Sequence, residues 1–162
     1  MPSLLHETLR DLLRQRVELI PQLLRDALGV SLPDYRELRV ESAELTQTTP
    51  TEYRADLALT LRSERALVGL IVEPQLGVKA RKRLVWPAYL ASYRAALGCD
   101  CLLVVVTPFR RVAKWASRPI NLGPGSVVTP WVLGPEALRG VTELSEARRQ
   151  PELAVLGILA HG

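Results

Sequence analysis

Two neighbouring hydrophobic segments place the strongest constraint on how this chain folds. Residues 53–61 (YRADLALTL) alternate in polarity, with three leucines on one face, which is typical of a β-strand that has one face on the core. Residues 66–75 (ALVGLIVEPQ) are apolar on both faces up to Glu73, as expected for a central strand that helices cover on both sides. Because only a short polar connection separates them, the two segments predict a β-hairpin.

The remaining segments alternate between helical and strand patterns. Ser3 is a predicted N-cap for a first helix, Pro21 breaks that helix near Ile20, and a second helical segment ends at Gly29. The later segments predict a weak strand at 38–45, a polar turn at 46–52, a helix at 85–97 whose start Pro87 obscures, a buried strand at 101–108, a short helix at 109–117, an edge strand at 126–135 and short helices at 136–162. This order predicts an α/β fold: a three-layer sandwich whose central mixed β-sheet has an αβββαβ core, followed by an extra strand and helices.

Composition narrows the classes of protein to which the chain belongs. Its 162 residues predict one domain with a substantial core. The net charge of +4 permits a polyanionic partner such as nucleic acid without requiring one. No apolar run approaches the roughly 18 residues that a membrane span needs, and the acid-containing amino terminus does not resemble a signal peptide. Cys99 and Cys101 are too close for an easy disulfide and too few for a zinc site, so we expect buried thiols in a reducing cytoplasm.

The two predicted hairpin strands carry a candidate metal site. Glu73 and Gln75 lie two residues apart, so their side chains project from the same face of the strand. Pro74 between them has no N–H, which weakens strand pairing and favours a pocket at this end. Asp56 lies on the polar face of the partner strand, where a hairpin brings it beside Glu73. Two carboxylates and a main-chain carbonyl suit a hard divalent cation such as Mg²⁺ or Mn²⁺.

The order αβββαβ, with Asp56 on the second strand and Glu73-Pro74-Gln75 on the third, resembles the PD-(D/E)XK nuclease superfamily (the restriction-endonuclease-like fold) over residues 1–107. Within it, the acid-x-Gln variant and the helix with Tyr89-Leu90-Ala91 resemble the recombination-promoting nuclease and transposase-associated proteins. Residues 52–57, 86–90, 132–135 and 151–162 also resemble a bacterial family without a settled function.

The resemblance implies a metal-dependent endonuclease that hydrolyses DNA phosphodiester bonds with Mg²⁺ or Mn²⁺. Asp56 and Glu73 match its metal-binding acids. Gln75 occupies the position of the usual lysine; an amide can orient the attacking water but cannot supply the positive charge. Lys82 is the first candidate to supply that charge, and Lys79 is the second.

The resemblance also implies an acid from the first helix. Glu7 and Glu18 are both candidates, and the sequence does not choose between them. His6 and His161 are single histidines without partner spacing, so no chemistry is assigned to them.

Other interpretations of the same residues remain open. Asp56 has a structural alternative as a partner of Arg54 or Arg62, and the basic cluster at 79–83 is more often a solvated surface than a catalytic feature. The missing motif lysine favours a catalytically silent nuclease-fold module that binds a partner or assembles. In that case the apolar segment 153–160 is a candidate homodimer interface.

Overall fold

The computed structural model describes residues 3–41, 54–123, 125–142, 152 and 155. The described elements in chain order are α1 (Leu4–Gln15), α2 (Leu19–Leu28), β1 (Glu37–Glu41), β2 (Leu57–Arg62), β3 (Ala66–Pro74), α3 (Ala80–Leu97), β4 (Asp100–Val106), α4 (Arg110–Ala116), β5 (Ile120–Gly123), β6 (Ser126–Val128), β7 (Trp131–Leu133) and α5 (Pro135–Thr142). The predicted turn at 46–52 and the apolar segment 153–160 fall largely or wholly outside the described residues.

A mixed five-stranded sheet with the strand order β1-β2-β3-β4-β7 forms the centre of the fold. The predicted hairpin is confirmed: β2 pairs with β3 antiparallel, and β1 extends the antiparallel part. The strands β3, β4 and β7 are parallel to one another. With helices on its faces, this sheet confirms the predicted α/β class and its three-layer sandwich architecture.

Two apolar clusters, one on each face of the sheet, hold the layers together. The leucines of β2 and every second residue of β3 pack against α1, α2 and α5 on the first face. Ile71 of β3 lies in the cluster of the second face, which includes α3 residues Trp86 and Tyr89 and Ala116 of α4. Since β3 is covered on both faces, its apolar run is explained by its central position.

The predicted break near Ile20 is wrong: the two helices are separated at residues 16–18, and Pro21 lies in the first turn of α2, where the missing N–H of proline costs no helical hydrogen bond. The sequence left the start of the third helix open, and the structure decides it. The helix α3 begins at Ala80 and contains Pro87, so the basic segment before Val85 is helical. A proline inside a helix removes one N–H donor and crowds the carbonyl four residues earlier, and the burial of Val85 and Trp86 against the sheet helps to offset that cost. The predicted single strand at 126–135 is wrong: it is two strands, β6 and β7, separated at Pro130, and β6 pairs with the unpredicted β5.

Cys99 and Cys101 are both free thiols, and they are half-buried rather than fully buried as predicted. None of the helices in the described ranges is long and apolar enough to cross a bilayer.

Candidate functional site

The candidate site lies where the amino end of β2 meets the carboxyl end of β3. In the antiparallel register Leu57 is opposite Val72, so the next residue outward on each strand is Asp56 or Glu73. The main-chain N–H of Asp56 donates a hydrogen bond to Oε1 of Glu73 at 3.1 Å. The structure therefore brings together the two acids that the hairpin predicts as neighbours.

The Glu73 carboxyl group is completely buried, and its second oxygen is bound by a lysine. Lys82 Nζ donates to Oε2 of Glu73 at 2.8 Å. Burial, followed by the charge of Asp56, raises the pKa of Glu73 to about 7, and Lys82 offsets part of that rise. Burial lowers the pKa of Lys82, but its ion pair with Glu73 outweighs this effect and leaves the pKa above the ordinary value for lysine.

Lys82 reaches the site because of where α3 begins. The chain leaves β3 at Pro74, crosses a short loop and enters α3 at Ala80, after Lys79 as the N-cap residue. Lys82 is therefore in the first turn of α3, directly after the carboxyl end of β3. The neighbouring Arg83 points elsewhere and donates to the carbonyl oxygens of four residues, Trp115, Ala116, Arg118 and Pro119. The basic cluster thus divides into a site lysine and a structural arginine.

A cleft of about 480 Å³ opens beside this ion pair, and we call it the rim cleft. Its described lining residues are Ser3, His6, Asp56, Pro74, Gln75, Leu76, Gly77, Lys79 and Lys82. Gln75 is only 3% exposed, and its main-chain N–H donates to the carbonyl of Val106 on β4 at 2.9 Å. Of the residues predicted for the site, Asp56, Gln75, Lys79 and Lys82 line the cleft, and Glu73 lies buried behind it in contact with Asp56 and Lys82.

The sequence analysis missed His6, which α1 brings into the rim cleft. Its Nε2 lies 3.9 Å from Oδ2 of Asp56, and its Nδ1 is buried without a hydrogen-bond partner among the described residues. His6 reaches the cleft because α1 packs against the end of the sheet, and no residue spacing in the sequence predicts that contact. The N-cap Ser3, whose Oγ accepts from the His6 N–H at 3.2 Å, fixes the first turn of α1 beside the cleft.

The two predicted first-helix acids are not among the residues that line the cleft. Glu7 pairs with Arg10 on the same helix. Glu18 follows α1 and pairs with Arg16. His6 is therefore the titratable side chain that α1 contributes to the described cleft.

The surroundings of Asp56 leave its carboxylate facing the cleft. Arg14 of α1 donates to the main-chain carbonyl of Asp56 at 3.2 Å, not to its carboxylate. Arg62, one of the two predicted structural partners, lies at the far end of β2. The Asp56 side chain keeps 23% of its surface exposed, so its oxygens are accessible from the rim cleft.

The donor set fits a hard divalent cation in part. Asp56 and Glu73 lie close enough for the charge of one to raise the pKa of the other, and a cation between them relieves that repulsion. Across the described ranges there is no group of three or more His, Cys, Asp and Glu side chains that could hold a metal ion. A cation here would therefore depend on two carboxylates, main-chain oxygens and water.

The fold and the cleft define a three-layer α/β protein with a carboxylate–lysine cleft at the carboxyl end of a central strand. A comparison of the chain with protein-family models, curated proteins and solved structures found no significant match. The resemblance to PD-(D/E)XK nucleases therefore stays a prediction.

Proposed function

We propose that this protein is a metal-dependent nuclease that hydrolyses phosphodiester bonds in DNA. The observation that supports this most strongly is the convergence of Asp56, Glu73 and Lys82 at one open cleft. Two carboxylates and a cation at the end of a strand are the groups that phosphodiester hydrolysis needs to hold a divalent metal and to offset phosphate charge. The basic overall charge of +4 is compatible with a polyanionic substrate.

Each side chain has a distinct role in this proposal. Asp56 and Glu73 would hold Mg²⁺ or Mn²⁺, with main-chain oxygens such as the Pro74 carbonyl as further ligands. When bound, the divalent ion would activate a water molecule and stabilise the charge that develops on the phosphoryl group. Gln75 lines the cleft and orients water by hydrogen bonding. Lys82 supplies the positive charge that the neutral Gln75 lacks.

Plasmid nicking tests the proposal. Wild-type protein with Mg²⁺ or Mn²⁺ should convert supercoiled plasmid to the open-circular form, and Glu73→Ala should abolish the conversion because the buried metal-holding carboxylate is gone. Glu64→Ala is the matched control, since this exposed acid lies in the turn at the opposite end of the same hairpin. Equal nicking by wild type and Glu73→Ala would reject the assignment.

A second candidate function is a catalytically silent module of the same fold that binds a partner or assembles. Two observations favour it: Gln75 is neutral, and the Lys82 ammonium group already pairs with Glu73. Titration calorimetry with Mn²⁺ separates the candidates, because binding that Asp56→Asn removes supports the nuclease, and absence of binding by wild type supports the silent module. Sedimentation at high concentration tests the associated homodimer, and a monomer there would count against it.

A further inference from the structure

Another cleft of about 470 Å³ borders the loop that follows β3. We call it the Phe109 cleft; its described lining residues are Leu76, Gly77, Val78, Phe109, Arg111 and Val112. It shares Leu76 and Gly77 with the rim cleft, so one short stretch of main chain forms a wall of both. A Cβ added at Gly77 would meet nothing within 4 Å, which shows that this shared wall is open.

The Phe109 cleft is formed by the loops that follow two adjacent parallel strands. Pro74 at the end of β3 is in register with Val106 at the end of β4, so the loops after both strands leave the same edge of the sheet. Crevices outside the carboxyl ends of strands are the usual ligand sites of open α/β sheets. The two clefts therefore form one continuous candidate binding surface.

The side chains that line the Phe109 cleft are apolar apart from one that is positively charged. Phe109 is 37% exposed and Val78 is 45% exposed, so an aromatic and an aliphatic side chain both face solvent here. Within the part of the chain that the structure describes, Arg111 has no carboxylate within ion-pair distance, whereas its neighbour Arg110 pairs with Glu136 at 3.1 Å. A nucleotide presents the complementary groups: a flat base for the aromatic ring and a phosphate for the guanidinium.

We propose that the Phe109 cleft holds an unstacked base next to the phosphate in the rim cleft, so that the preferred substrate is single-stranded DNA. This inference rests on the proposed function, because the rim cleft must hold a phosphodiester. In a duplex both faces of each base are stacked on neighbours, so a duplex must unstack or flip a base before one can enter the cleft. A single strand offers its bases without that cost.

The experiment compares two probes by fluorescence anisotropy, in EDTA so that cleavage does not occur. The probes are a fluorescein-labelled oligothymidylate and the same strand annealed to oligoadenylate. Wild-type protein should bind the single strand more tightly. Phe109→Ala should weaken single-strand binding by about fivefold to a hundredfold, the usual loss for one aromatic–base stack, and leave duplex binding unchanged.

Trp131→Ala is the matched control for the loss of an exposed aromatic side chain. Trp131 is 40% exposed, but it lies at the amino end of β7 and lines neither cleft among the described residues. Thermal unfolding of both variants shows whether each is folded. Equal weakening by Phe109→Ala and Trp131→Ala, or duplex binding as tight as single-strand binding, would overturn the inference.

Arg111→Gln provides a second test that does not depend on the aromatic ring. Loss of one phosphate contact should reduce the slope of log affinity against log salt for the single strand by about 0.7. Arg110→Gln is the control, because that arginine is paired with Glu136 and does not line the Phe109 cleft. An unchanged slope in Arg111→Gln would count against the phosphate contact.

The outcomes for this inference and for the proposed function are distinguishable. Single-strand binding that depends on Phe109, combined with no cleavage of either plasmid or the labelled single strand in Mg²⁺ or Mn²⁺, would reject the nuclease and retain the DNA-binding cleft. Nicking that depends on Glu73, combined with no preference for the single strand, would retain the nuclease and reject the Phe109 cleft as a base-binding site.

Discussion

The Glu73 carboxyl group ionises at a cost, because it lies fully inside the protein beside a second carboxylate. Its pKa is raised by burial and by Asp56 from about 4.5 to about 7. The folded protein therefore binds this proton more tightly than the unfolded chain does. The resulting stabilisation is complete below the unfolded pKa and is lost as pH rises through the folded pKa.

We expect Glu73→Gln to remove this pH dependence. Between about pH 5 and about pH 8, metal-free wild-type protein should lose up to about 3 kcal/mol of unfolding free energy relative to Glu73→Gln, since the amide does not ionise. Urea unfolding in EDTA at both pH values measures the difference. Glu64→Gln should follow wild type, and parallel profiles for wild type and Glu73→Gln would show that residue 73 does not carry the effect.

Lys82 and Lys79 both line the rim cleft, but they differ in what they contact. Lys82 binds Glu73, whereas Lys79 is exposed at the N-cap position of α3. Lys82→Gln should therefore reduce the nicking rate by about a hundredfold or more, the usual loss when a charge-stabilising group is removed. Lys79→Gln should change the rate by only a few fold, and the reverse order would assign the role to Lys79.

The candidate site could be predicted at the residue scale where it depends on local chain geometry. The two-residue spacing of Glu73 and Gln75 and the hairpin relation of Asp56 to Glu73 both follow from strand periodicity, and the structure contains both. His6 could not be predicted, because its position depends on how α1 packs against the end of the sheet. Such packing is set by many weak contacts at once, and no single spacing encodes it.

At the scale of elements, β3 and α3 pack closely because of Gly69. A Cβ at this position would lie 2.6 Å from Sγ of Cys101 and 2.8 Å from side-chain atoms of Leu97 and of Tyr93. These distances are shorter than real Cβ contacts, so these side chains, or the helix and strand that carry them, must shift to admit a methyl group. Gly69 therefore determines how closely α3 approaches the sheet on the face of the sheet to which Glu73 belongs.

We expect Gly69→Ala to destabilise the protein by about 1–3 kcal/mol through overpacking. Gly77→Ala is the matched control, because its Cβ meets no atom within 4 Å and neither glycine has a positive φ; its effect should be within about 0.5 kcal/mol. Thermal or urea unfolding of both variants gives the comparison. Similar stabilities of the two variants would mean that the side chains around Gly69 shift without cost.

The elements that the sequence predicts well are those with strong periodicity and clear end signals. The hairpin β2–β3 alternates and then becomes uniformly apolar, and α2 ends at Gly29, which has a positive φ of 63°. The prediction of a single strand at 126–135 failed because the pattern of residues does not show that the chain changes the strand with which it pairs. At Pro130 the chain leaves β6, which pairs with β5, and enters β7, which pairs with β4. Pairing partners are tertiary information, so the pattern predicted a strand and missed the switch.

At the scale of the whole molecule, metal binding and folding are linked through Glu73. A divalent cation must displace the proton from this carboxyl group, so its affinity should rise as pH increases through about 7. Where the cation binds, it also removes the repulsion between Asp56 and Glu73. The loss of stability that ionisation of Glu73 causes in metal-free protein should then be reversed by the cation.

Mn²⁺ should accordingly raise the unfolding temperature of wild-type protein at about pH 8 and raise it much less at about pH 5. At a free concentration of about one hundred times the dissociation constant, the gain in unfolding free energy is about 2.7 kcal/mol. Asp56→Asn should lose the gain because one of the two carboxylates is neutral, while Glu64→Gln, altered at the other end of the hairpin, should keep it. A gain that persists in Asp56→Asn would place Mn²⁺ elsewhere on the protein. No gain in wild type at either pH would mean that the ion pair with Lys82, and not a cation, compensates the charge of Glu73.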